Sequence, residues 1–230
     1  MSTANTKYGN NALQFNTTVD GQNSAFGTSA LQSSTAKWNT AVGAYSGLTT
    51  TTGISNTAVG TNSLLKNTTG NYNTALGTAT MCFNTTGNLN IAVGSNALET
   101  NTTGYQNTAV GTQSLFSNIT GYNNTSLGFK ALYTNSTGSY NTAIGSASLP
   151  QNTTGANNTA TGYQAMQSNI TGGGNVATGY QAMQSNTTGS GNVAFGTYAL
   201  QLNETGNYNT ALGSASLTTN TTGTNNTATG

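Results

Sequence analysis

Side chains able to do acid–base or metal chemistry are almost missing from this sequence. Its 230 residues hold three carboxylates, Asp20, Glu99 and Glu204, one thiol, Cys82, and no histidine. The acids lie far apart along the chain, so it offers no paired carboxylates, no charge-relay triad and no His/Cys cluster for a metal. Calcium-binding rolls need an Asp in every turn, and the Gly-rich segments here lack the Lys of a phosphate loop. A protein that is not an enzyme and takes no cofactor is the expectation. Cys82 alternates with Leu65, Glu99 and Phe116 at seventeen-residue spacing, which reads as a tolerated small hydrophobe, and a lone cysteine forms no internal disulfide.

Two patterns of polar residues remain. Asn-x-Thr/Ser recurs at Asn67, Asn84, Asn101, Asn118, Asn135, Asn152, Asn169, Asn186, Asn203 and Asn220, a match to the N-glycan acceptor. A ladder of stacked amides beside a column of threonines generates the same motif, and the ladder is the reading preferred here. Tyr72, Tyr105, Tyr122, Tyr140 and Tyr208 sit beside a recurring Asn, where they are candidates to stack on sugar rings or, more simply, to cover a turn.

What positions all of these is a seventeen-residue unit, NTAVGxxALxxNTTGxx. It starts at Asn5, Asn23 and Asn39 and then at every seventeenth residue to Asn226. The first two copies are eighteen and sixteen residues long, so the register is restored by Asn39. A unit this short buries no core alone and must stack on its neighbours. One Gly column includes Gly43, Gly60 and Gly77, and a second includes Gly53, Gly70 and Gly87. Two sharp bends per unit follow, each with a positive φ or a tightly packed backbone. The segments between are short, β-branched and free of Pro, which predicts strands rather than helix. The expected fold is all-β, a parallel β-solenoid with one repeat per coil and about 13 coils. At roughly 4.8 Å per coil it makes a rod about 60 Å long.

Alternation along NTAVG puts the second and fourth residues on one face. The fourth is mostly apolar (Val59, Leu76, Val93, Val110), so that face is expected to point inward, opposite a bulky column containing Leu64, Met81 and Leu98. The small third residue then lies outside. Ala58, Ala75, Ala92, Ala109, Ala143, Ala160, Ala177, Ala194 and Ala211 are therefore expected to form an assembly face against another chain. The Thr column Thr52, Thr69, Thr86, Thr103 is expected to bond the stacked turns.

Stacking also accounts for the charge content of 3% and net charge of +1. A Lys column at 4.8 Å spacing would cost about 0.9 kcal/mol per adjacent pair even at the dielectric of water. Four lysines and no arginine leave little to neutralise phosphates, which argues against nucleic acid and anionic membranes. No apolar run approaches the roughly eighteen residues needed for membrane insertion, and the first residues resemble no secretory signal.

NTAVG with its following small residue resembles the SVAIG-type head repeat of YadA-like trimeric autotransporter adhesins. The longer unit is similar to repeats of phage and giant-virus tail-fibre or surface-fibre proteins. The resemblance covers nearly the whole chain and implies a left-handed β-roll, a trimer and a role in surface attachment. NTAVG is also loosely similar to the NxVxG repeats of grass antifreeze proteins, which keeps an ice-binding solenoid in view. The reading is a structural fibre or filament protein, extracellular or on a virion surface, self-associating through the Ala face or end to end; the alternative is a binding module for glycans or ice. Residues 1–38 are expected to form irregular capping coils, with Lys7, Asp20, Lys37 and Trp38 in the cap, and 39–230 the regular solenoid, whose last strand offers an open edge.

Overall fold

The computed structural model describes residues 5–16 and 21–230, so Asp20, assigned above to the cap, lies outside the described residues. The chain divides into two compact units, residues 1–120 and 121–230, built on the same plan. The first carries β1 (Thr6–Tyr8), β2 (Ser24–Phe26), β3 (Thr40–Val42), β4 (Thr57–Val59), β5 (Thr74–Leu76), β6 (Ile91–Val93) and β7 (Thr108–Val110). The second carries β8 (Thr125–Leu127), β9 (Thr142–Ile144), β10 (Thr159–Thr161), β11 (Val176–Thr178), β12 (Val193–Phe195), β13 (Thr210–Leu212) and β14 (Thr227–Thr229). Within each unit every strand pairs in parallel with its neighbours in sequence. Register follows the repeat, so Thr57, Ala58 and Val59 lie against Thr74, Ala75 and Leu76. The unequal first copies keep it too, with Thr6 against Ser24 and Ser24 against Thr40. Each unit is thus a parallel β-solenoid with one repeat per coil, as the periodicity predicts.

The strands are three residues long, in keeping with the short segments expected between the bends. Backbone bonds between coils continue through the turns. In the coil that begins at Asn56, Gly60 donates back to Val42 O at 2.8 Å and Asn62 back to Ala44 O at 3.0 Å, while Leu64 donates forward to Thr80 O at 2.9 Å. This alternation requires left-handed backbone at non-glycine residues: Asn62 (φ 57°), Leu64 (φ 52°) and Tyr72 (φ 56°). A left-handed leucine is disfavoured by about 1–2 kcal/mol, so the coil holds it there through stacking rather than local preference. At Gly60 (φ 126°) a Cβ would stand 2.4 Å from Gly77 O. Gly70 has no left-handed φ, yet its Cβ would stand 2.4 Å from Gly87 O and 2.3 Å from Asn67 Oδ1. One glycine column thus meets both a conformational and a spatial demand, and the other a spatial one.

The interior differs from the sequence expectation in one respect. The third residue of NTAVG points inward: Ala75, Ala92, Ala109, Ala143, Ala160, Ala177, Ala194 and Ala211 are 0% exposed and Ala58 2%. These alanines are sealed inside their own coil and form no assembly face. The second and fourth residues point outward, with Leu127, Ile144, Phe195 and Leu212 all exposed. The reason is cross-section. The buried leucine column (Leu64, Leu98, Leu132, Leu200), two inward asparagines and the small residues after each turn (Ser63, Ala97, Ala131, Ser148) leave room opposite only for the side chain of an alanine or, at Ser126, a serine.

Candidate functional site

Two amide ladders run through the interior, and their side-chain amides bond within and between coils; Thr50, one coil before Asn67 in the second column, instead leaves a buried hydroxyl oxygen without a partner. In the first, Asn56 Nδ2 donates to Gly70 O of its own coil at 2.8 Å, and Asn56 Oδ1 accepts from the backbone N–H of Asn73 at 2.9 Å. In the second, Asn84 Nδ2 donates to Asn67 Oδ1 at 2.8 Å and to Gly87 O at 3.1 Å. The unit from residue 121 repeats this with Asn152 on Asn135 (2.8 Å) and Gly155 (2.9 Å). Asn67, Asn84, Asn101, Asn118, Asn135, Asn152, Asn169, Asn186 and Asn203 are 0% exposed, and Asn220 is half-buried. In this narrow interior an amide both donates and accepts along the axis, so a polar column replaces an apolar one without leaving a group unpaired. The inter-coil threonine bonds belong to the residue after this Asn, as in Thr68 Oγ1 to Thr85 O at 3.0 Å, whereas Thr69, Thr86 and Thr103 face solvent.

The tyrosines singled out by sequence do not form one platform. Tyr72, Tyr105, Tyr140 and Tyr208 are exposed. Tyr72 and Tyr105 are separated by the coil that carries Leu89, and Tyr122 meets Tyr140 edge to face at 5.2 Å. A more continuous aromatic group was missed: Tyr163, Tyr180 and Tyr198 occupy three successive coils, with centroids 5.5 Å apart at each step, one pair stacked and the next edge-on. Beside it Gln181 Nε2 donates to Gln164 Oε1 at 2.7 Å. The seventeen- and eighteen-residue spacing of these tyrosines was the available signal.

On another side of the first unit, Phe83, Thr100, Thr102, Ser117 and Ile119 line an open, mostly apolar groove of about 490 Å³. Cys82, which precedes Phe83 in the chain, is buried. Burial raises its thiol pKa above the ordinary 9.0, the Glu99 carboxylate adds to that, and Lys66 opposes it. The folded protein is expected to react with an aromatic disulfide reagent at pH 8 at least several-fold more slowly than the denatured chain, the gap narrowing as pH rises, because the thiolate is the nucleophile. Equal rates folded and unfolded would contradict this placement.

Among the described residues no three His, Cys, Asp or Glu side chains come together as a metal site, and no helix is long and apolar enough to cross a membrane. The distinctive surface is the outer face of each strand ladder, where Thr, Ser, Ile or Val of the second position runs beside Val, Leu, Ile, Phe, Tyr or Thr of the fourth. No family model, curated protein or solved structure matches the chain.

Proposed function

We propose that this protein is a non-enzymatic structural fibre component of an extracellular or virion surface, assembled from copies of itself side by side through the outer face of the strand ladder. The observation that carries this reading is the apolar stripe there. Leu127 and Ile144 on adjacent coils are 46% and 38% exposed, and Phe195 and Leu212 on a second adjacent pair 52% and 42%, with Thr161 and Thr178 between the pairs in the same column. Parallel sheets are characteristically covered on both faces, and a contiguous exposed apolar patch marks a place of association. A second copy presents the same column at the same coil spacing, so the two stripes match along their length. Near-absence of charge favours such a partner over one held by ion pairs. The resemblance to adhesin-head and fibre repeats supports the same conclusion and makes a trimer the preferred stoichiometry.

Lysine at Leu127 and Ile144 together tests it. Both side chains point away from the coil, so β-sheet circular dichroism is expected to persist while sedimentation shifts from oligomer to single chain. A wild-type chain that sediments as a monomer at micromolar concentration would overturn the proposal. The stacked Tyr163, Tyr180 and Tyr198 favour one second reading, a glycan contact on the fibre's flank. Tyr180→Ala losing a glycan-array signal seen with wild type would support it, and no wild-type signal would remove it.

A further inference from the structure

The recurring Asn-x-Thr motif does two incompatible things, and the coil decides between them. Transfer of an N-glycan forms a bond between the asparagine Nδ2 and C1 of the sugar. It breaks the bond from C1 to a lipid diphosphate, which leaves carrying the amide proton. The reaction therefore needs an accessible Nδ2 and consumes one of its two N–H donors. In the folded chain neither condition is met along the second ladder. From Asn67 to Asn203 these asparagines are 0% exposed. Both donors of Asn84 are committed, as are those of Asn152 and of Asn186, which bonds Asn169 Oδ1 at 2.7 Å and Gly189 O at 3.0 Å. There is no room even for a methyl group beside the amide: a Cβ on Gly70 would stand 2.8 Å from Asn84 Nδ2, and one on Gly87 2.4 Å from Asn84 Oδ1.

The same fold leaves other acceptor motifs open. Asn157-Asn158-Thr159 and Asn225-Asn226-Thr227 begin on exposed asparagines at the left-handed corner before β10 and β14. Asn123-Asn124-Thr125 begins on a half-buried one, and Asn124, which starts an Asn-Thr-Ser of its own, is buried with the first ladder.

We infer that N-glycosylation and coil closure are mutually exclusive at the ladder acceptors, so that this chain reaches its fold only where no oligosaccharyltransferase meets it unfolded. Once closed, it keeps Asn157 and Asn225 as exposed acceptors among the described residues, with Asn16, Asn123 and Asn220 half-buried. This requires nothing of the fibre reading: it concerns how the coil is made, not what it touches. It does restrict the routes to a surface. A passage through a glycosylating compartment before folding would place bulky polar chains where the coils must stack.

The test compares the full chain made in the cytosol of eukaryotic cells with the same chain directed to the endoplasmic reticulum by an added leader. Site occupancy is read by mass spectrometry, and folding by circular dichroism and protease resistance. The expected result is a resistant, unmodified cytosolic chain and a protease-sensitive reticulum chain occupied at several ladder sites. Cytosolic protein later exposed to transferase and lipid-linked donor is expected to stay unmodified from Asn67 to Asn203. Blocking synthesis of the donor should restore the resistant fold in the reticulum. So should replacing the exposed third-position threonines, such as Thr69→Ala and Thr86→Ala, across the ladder, which removes the acceptors without touching the amides. Glycan at any enclosed ladder site in a resistant chain would overturn the inference. So would a reticulum chain that folds unmodified with donor present, or one that stays unfolded with donor synthesis blocked.

Discussion

Gly60→Ala is expected to destabilise the first unit by about 4 kcal/mol, the sum of a left-handed φ forced on a side chain and a clash with backbone. The added methyl would stand 2.4 Å from Gly77 O and 2.6 Å from Gly77 C. Backbone on both sides is tied into the ladder, since Gly60 donates to Val42 O and Gly77 to Val59 O, each at 2.8 Å. Neither coil gives way without breaking bonds to its next neighbour. In a stacked array such damage spreads to adjoining coils, so urea denaturation should show an earlier and broader transition. Hydrogen exchange should rise first around β4 and β5. Gly174→Asn is the matching control. It too has a positive φ (68°), but a Cβ would find nothing nearer than Gly191 N at 4.0 Å. Asn157 holds the equivalent position at φ 59°. That change is expected to stay within about 0.5 kcal/mol of wild type. Equal losses at the two glycines would refute the argument from close approach.

Asn152→Leu carries the second large effect. The substitution is close in volume and more apolar, so burial alone would favour it. It strips Asn135 Oδ1 of its ladder donor and Asn169 Nδ2 of one of its two acceptors, both in an interior closed to solvent, while Gly155 O keeps Asn141 Nδ2 at 2.8 Å. At about 1–3 kcal/mol for each buried group left unpaired, a loss of about 4 kcal/mol is expected by denaturant titration. The outer glutamine ladder provides the contrast. Gln184 Nε2 donates to Gln167 Oε1 at 2.9 Å and Gln184 Oε1 accepts from Gln201 at 3.1 Å, but in half-buried positions where water can replace a lost partner. Gln184→Leu should cost less than about 1 kcal/mol. If Asn152→Leu proved equally mild, the amide columns would be tolerated passengers and the leucines would be holding the coil alone.

Much of this architecture was legible because stacking makes the period visible. The glycine columns gave the corners, and the leucines at Leu64, Leu98 and Leu132 gave one wall. Which side of NTAVG faces in was misjudged, because alternation fixes two faces but not their assignment. Hydrophobicity favoured Val59 and Leu76 as the inner set. Size variation pointed the other way: the fourth position runs from Thr161 to Phe195, a swing no packed interior absorbs, while the third never exceeds Ala or Ser in β2 to β13. The left-handed turn at Leu64 was not legible, since leucine does not favour it and the demand comes from the coils above and below; Asn62, a residue that tolerates left-handed backbone, carried only a weak local signal. The Tyr163, Tyr180 and Tyr198 stack was less legible because its position varies from coil to coil, through Thr61, Ser95 and Phe129, and Tyr198 falls eighteen rather than seventeen residues after Tyr180.

The amide columns also bear on length. Each asparagine presents to the coil above the same acceptor that it takes from the coil below, so no coil inside a unit is marked as particular to its place. Gaining or losing one leaves its former neighbours with contacts of the same kind. The stretches 160–172 and 177–189 differ at one residue, Ile170 against Thr187, as a copied coil would. Coil number is then a quantity that selection can change by whole steps without redesigning any interface, and natural variants are expected to differ by multiples of seventeen residues.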